Sequence, residues 1–145
     1  MTSLPYEPRA IIGRREIVTL PELELTLPCK VDTGARTSAL HAEHIHSFER
    51  EGHWYVRFTS WGGNDNNISR QFELPLYDRR QVKSSNGHSE NRCVIRTLMK
   101  LGELSYDIEL TLVNRQEMRH PMLLGRRAMR RLLVAPGASF LHDTP

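Results

Sequence analysis

The chain has 145 residues, 39% hydrophobic and 26% charged, with a formal net charge of +3. This is the length and composition of one soluble domain: it allows one sizeable core and leaves two separately cored lobes cramped. No window approaches 18 unbroken apolar residues, which excludes a membrane-spanning helix, and the only cysteines, Cys29 and Cys93, exclude a disulfide framework or a metal knuckle.

In chain order, residues 1–10 read as an N-terminal extension. "MTSLPYEPRAIIGRRE" lacks a basic segment followed by a long apolar one, so no secretory leader is expected. The thiols are read as reduced, in a cytoplasmic protein, with a single Cys29–Cys93 bridge left open. From Ile11 to Val31 the pattern predicts a hairpin broken at Pro21-Glu22, with Leu23, Leu25 and Leu27 on one side. "HWYVRFTSW" alternates Trp54, Val56 and Phe58, and "ISRQFELPLY" puts Phe72, Leu74 and Leu76 in phase. "CVIRTLMKLGELSYDIELTLVNR" reads as a second hairpin turning at "LGEL". The polar stretches 61–67 ("WGGNDNN") and 84–91 ("SSNGHSEN") read as exposed loops. "RRAMRRLL", Arg126 to Leu133, is expected to be a short helix, with Ala128, Leu132 and Leu133 on one face and arginines on the other. The prediction is a mostly β domain over 11–135, a small barrel with one short C-terminal helix, followed by a tail at 136–145.

"LPCKVDTGARTSALHA" places Asp32 at the end of an apolar strand, followed by Thr33, Gly34 and the small Ala35. This suits a tight loop presenting a carboxylate to a cleft: Gly34 permits a turn where a side chain would clash, and the Thr33 hydroxyl can lock the loop by a hydrogen bond. Alone, Asp-Thr-Gly often marks a plain turn. A second signal lies downstream in "MLLGRRAM", an apolar run through Leu124 into Gly125 and Arg126.

In order and context these two segments resemble the retropepsin-like aspartic proteases. With "NRCVIRTLMKLGE" and "LTLVNRQEMRHPMLLGRRAM", the chain from about Ile12 to Leu133 resembles one group within that fold, named ATP-dependent zinc proteases. Members of that group can accompany RimK-type ligases, which add glutamates to protein tails. The resemblance implies a closed acid-protease barrel and an aspartic mechanism at Asp32, Thr33 and Gly34, with Leu124, Gly125 and Arg126 supporting the site. Aspartic proteolysis needs two carboxylates sharing one proton, because like charges about 3 Å apart cannot both ionise. Asp-Thr-Gly occurs once here; Asp65, Asp78 and Asp107 lack the Thr-Gly, and Asp143-Thr144 is followed by Pro145. The second aspartate is therefore expected from a second copy in a twofold homodimer, with Thr33 bracing the two loops. A flap is expected at Asn86, Gly87 and His88, with an ordinary hairpin loop as the alternative.

The basic residues are nearly all arginines, Lys30, Lys83 and Lys100 being the exceptions. Arginine's planar fork grips carboxylates in pairs of bonds, so if members act on glutamate tails, Arg36, Ala35, Arg92 and Arg96 are the expected substrate contacts. For any single arginine a solvated surface is the plain alternative. His41 reads as packing near the loop, and Trp54 and Trp61 as core or rim residues. No cofactor is expected. His44 and His46 of "HAEHIH" would face one way on a strand and are the zinc candidates, but no third ligand is evident. No phosphate loop supports ATP binding. The alternatives are a zinc-dependent peptidase, a non-catalytic peptide-binding or dimerisation module, and nucleic-acid binding through "RRAMRR", against which no aromatics interleave with those arginines.

Overall fold

In a computed structural model the chain is described over residues 3–61, 69–83, 87–114 and 119–143. The strands of the first half are β1 (Ala10–Gly13), β2 (Arg15–Leu20), β3 (Leu25–Val31), β4 (Ser38–His41), β5 (Glu43–Arg50) and β6 (His53–Trp61). The second half supplies β7 (Ser69–Pro75), β8 (Asp78–Lys83), β9 (Ser89–Leu101), β10 (Leu104–Val113), β11 (Met122–Leu124) and β12 (Leu132–Ala135).

The main sheet runs β10-β4-β11-β3-β2-β9-β8, and β9 also pairs with β10, so six strands close into a barrel with β8 on its rim. This is the retropepsin-like architecture expected from the sequence. Both hairpins form: β2 and β3 pair from Arg15↔Lys30 to Leu20↔Leu25, around a single 3-10 turn at Pro21–Leu23. β9 and β10 pair from Leu104↔Leu101 to Thr111↔Val94.

Alternation decides the inward face. Leu23, Leu25 and Leu27 are each 1% exposed and join Leu20, Leu40, Ile95, Leu101 and Leu110 in the core; each such side chain stabilises by roughly 1.5–3 kcal/mol. A separate sheet, β5-β6-β7, lays Val56 and Phe58 onto this core, with Phe58 stacked on Phe72 at 5.3 Å. Its other face carries Phe48 and Tyr55, covered by the Arg50 and Arg57 guanidinium groups. Trp54, near the start of β6, is exposed beneath Arg79, and Trp61 stacks on His41.

The expected helix is corrected. Arg126–Ala128 forms only one 3-10 turn, and Leu132–Ala135 is strand β12. The reason is tertiary: among the described residues β1 pairs only with β12, in parallel, from Ala10↔Leu132 to Gly13↔Ala135, and the Arg9 amide donates to the Arg131 carbonyl. A helix through Leu133 would leave the β1 backbone groups without those partners.

Residues 136–143, expected as a tail, pack along the start of β2. The Arg14 amide donates to the Ala138 carbonyl, the Phe140 amide to the Arg15 carbonyl, and the Arg15 guanidinium lies over the Phe140 ring. The anchor is Glu16, a fully buried carboxylate that sequence reasoning missed. It accepts the backbone N–H groups of Gly13 at 2.7 Å, Leu141 at 3.1 Å and His142 at 3.2 Å. Glu16→Ala would leave three amides without an acceptor and is expected to cost about 2–3 kcal/mol. Chemical denaturation checks this, and an unchanged midpoint would show that the 136–143 segment is not held by Glu16.

Candidate active site

Three strand ends meet at the Asp32 loop. β11 runs parallel to β3, with Leu124 beside Val31, and antiparallel to β4, with Met122 beside Leu40. Two carboxyl-terminal strand ends, Val31 and Leu124, therefore lie side by side. The Asp32 amide donates to the Leu124 carbonyl at 2.9 Å, extending the pairing one residue past the strands. The loop then closes on itself: the Ala35 amide donates to the Asp32 carbonyl at 3.2 Å, and the Gly34 amide to Asp32 Oδ1 at 2.8 Å.

This fixes one oxygen of the Asp32 carboxylate. It also revises the reason for Gly34, whose backbone is not in the left-handed region. A Cβ there would stand 3.1 Å from Asp32 Oδ1, so the glycine makes room for the carboxylate against its own amide.

The segment after β11 holds the loop from behind. The Arg126 amide donates to the Ala35 carbonyl at 2.8 Å, and the Arg127 amide to the Arg36 carbonyl at 3.2 Å. Arg126 Nη1 reaches the Thr33 carbonyl at 3.1 Å. Arg126 thus binds loop backbone and, among the described residues, makes no ion pair. Gly125 meets the start of β4, where its amide donates to Ser38 Oγ at 3.0 Å. A Cβ on Gly125 would lie 2.6 Å from the Thr37 carbonyl carbon and oxygen. Ser38 is buried, and its own carbonyl accepts the Thr111 hydroxyl from β10. Thr37 and Ser38 were not singled out in the sequence, and a small hydroxyl residue past the loop carries no signal that could have done so.

The remaining predicted residues disperse. The Thr33 hydroxyl is exposed and, among the described residues, has no hydrogen-bond partner within the chain. The Arg36 side chain is exposed at the loop's end. Arg92 is taken up by Glu90, at 2.6 Å. Arg96 lies 3.8 Å from Asp107 and over the Tyr77 ring, in a cleft that Thr37 and Ser38 also line. Gly87 (φ 88°) and His88 lie between β8 and β9, while Asn86 falls outside the described residues, as do 62–68 of the other polar loop.

His44 and His46 are both exposed, but β5 shifts register between Glu43 and His46 and His44 sits at φ 53°. The strict alternation that would aim both imidazoles one way is interrupted there. Among the described residues, no three His, Cys, Asp or Glu side chains are grouped to hold a metal. Both cysteines are free thiols; burial pushes Cys29 up to about 12, which makes it inert at neutral pH, and raises Cys93 as well.

Residues 11–145 match the model of the RimB-like family, described as retropepsin-like aspartic endopeptidase RimB. The chain belongs to the RimB-like family. That description names an aspartic endopeptidase, so the zinc-protease name attached to the sequence resemblance is not supported. Among relatives, a probable alpha-L-glutamate ligase of Shewanella pealeana is 44% identical over 133 residues, covering 90% of this chain and 29% of the ligase. A protein of the same description from Desulfotalea psychrophila is 43% identical over 131 residues, covering 88% of this chain and 28% of that one. The chain thus spans less than a third of the length of these relatives. A solved Legionella pneumophila structure of unknown function is 34% identical with a TM-score of 0.78, over 93% of this chain and 99% of that one. No helix among the described residues is long and apolar enough to cross a membrane.

Proposed function

We propose that this RimB-like chain is an aspartic peptidase that works as a homodimer and acts on acidic, glutamate-rich protein tails of the kind a RimK-type ligase makes. The observation that carries the reading is the Asp32 loop itself. It is a carboxylate at paired strand ends, fixed by the Gly34 amide and backed by Gly125 and Arg126, in a chain of an aspartic endopeptidase family. The exposed Thr33 hydroxyl is free to meet its counterpart across the twofold axis.

In the dimer the two Asp32 carboxyl groups hold one proton between them. The ionised one takes a proton from water as the water oxygen bonds to the peptide carbonyl carbon. The protonated one gives its proton to the carbonyl oxygen. Collapse of the tetrahedral intermediate breaks the C–N bond, and a proton returns to the leaving amine. Relatives described as glutamate ligases carry this domain within a longer chain, which supports an acidic product of such a ligase as substrate. Arg36 is exposed two residues beyond Gly34, which supports pairing of its guanidinium with a glutamate side chain.

The test is incubation with a peptide ending in several glutamates, beside a glutamine-ended control, read by mass spectrometry. Faster shortening of the glutamate peptide than of the glutamine control is expected. Arg36→Ala should lower the ratio of glutamate to glutamine cleavage by roughly tenfold or more. An unchanged ratio would show that Arg36 does not read the acid, and an intact glutamate peptide would overturn the substrate.

A further inference from the structure

A cleft of about 230 Å³ opens between β10, β12 and the 3-10 turn after Gly125. Among the described residues its charged lining is entirely arginine: Arg9, Arg127, Arg130 and Arg131 surround Tyr106 and Leu104. Among the described residues, Arg9, Arg130 and Arg131 make no ion pair, and all three are exposed. Arg127 stands 3.9 Å from Glu109, but that carboxylate is already held by Arg80 at 2.6 Å. Unpaired guanidinium groups lining one cleft repel one another, and an anion seated between them offsets that cost.

A second cleft, of about 430 Å³, shares Tyr106, Arg127, Ala128 and Arg130 with the first and reaches Thr37 and Ser38 at the back of the Asp32 loop. The Arg127 amide is bonded to Arg36 of that loop. The arginine-lined floor and the loop are thus one backbone hydrogen bond apart.

We infer that this cleft is an anchoring subsite for an acidic peptide segment, separate from the bond being cut, in which Arg9, Arg130 and Arg131 pair with successive carboxylates. The role in turnover rests on the peptidase reading; the binding does not. The chemistry favours carboxylates spaced along a peptide over a nucleic-acid strand. Single-stranded nucleic acid needs free aromatic faces for its bases, whereas the Tyr106 ring is half-buried and its hydroxyl donates to the Ala128 carbonyl at 2.6 Å.

The test uses full-length protein carrying Asp32→Asn, so that nothing is cleaved, titrated at low salt with hexaglutamate, hexaglutamine and hexathymidylate by calorimetry. Hexaglutamate alone is expected to bind, and more weakly as salt rises. Arg130→Ala/Arg131→Ala should lower that affinity about tenfold. The charge-matched control Arg50→Ala/Arg57→Ala, on the three-stranded sheet, should leave it unchanged. Equal affinity in both double variants, or no hexaglutamate binding at all, would overturn the subsite, and tighter hexathymidylate binding would make it a nucleic-acid surface. The readout is binding, and mass spectrometry of each peptide after the titration shows whether it stayed intact, so failure of the subsite is distinguishable from failure of the peptidase reading.

Discussion

Asp32→Asn is expected to fold, to dimerise and to stop cleaving. The change is nearly isosteric, and the bonds that shape the loop are backbone bonds: Asp32 N–H to Leu124, Ala35 N–H to Asp32 and Arg126 N–H to Ala35. An asparagine carbonyl oxygen can still accept the Gly34 amide, so the geometry survives. The variant loses the ability to hold one negative charge and one transferable proton at the twofold axis. Removing a general base alone costs about 100- to 10,000-fold in rate, and the coupled pair should cost at least that. Single-turnover rates, with the fold checked by circular dichroism, test this. A metal-dependent peptidase would behave differently: a chelator would abolish turnover, and the Asn variant would matter only if Asp32 were a ligand.

Gly125→Val is expected to have the largest effect on stability. A Cβ at Gly125 would meet the Thr37 carbonyl carbon and oxygen at 2.6 Å and its nitrogen at 2.9 Å. Real Cβ contacts do not come that close, and backbone held in a barrel cannot swing aside as a long side chain can. Either β4 moves off β11 or the Gly125–Ser38 bond breaks. The cost should exceed about 3 kcal/mol, read as a shift of the denaturation midpoint. Because the same displacement pulls Arg36 and Thr37 away from the Asp32 loop, any folded fraction should also be slow. A variant with wild-type stability would mean that the close approach of Gly125 to Thr37 does not constrain the site.

What the sequence showed, and what it hid, follows from the range of the interactions. Alternation in "ELTLPCKV" and "CVIRTLMKL" is a local signal, and the strands it predicts form with Leu25, Leu27, Ile95 and Met99 inside. Asp32 and Gly125 stood out because a turn motif after an apolar run is also local. The short helix failed because Ala128, Leu132 and Leu133 fit a helical period, while the unpaired edge of β1, more than 110 residues earlier, drew Leu132–Ala135 into a strand. Glu16 was invisible for the same reason: two of the amides that donate to it, those of Leu141 and His142, lie at the far end of the chain. The arginine-lined cleft gathers Arg9 with Arg130 and Arg131 only through that parallel β1–β12 pair. Read linearly, "RRAMRR" was a helix face.

The central claim is that two copies of Asp32 make one catalytic centre. Mixing wild-type protein with Asp32→Asn at fixed total concentration, after subunit exchange, tests it directly, with cleavage of the glutamate-ended peptide as the readout. If one active centre needs both carboxylates, mixed dimers are dead and activity follows the square of the wild-type fraction, falling to about one quarter at an equal mixture. Activity that falls linearly, to about one half, would mean that each chain carries a complete site of its own, and would contradict the account.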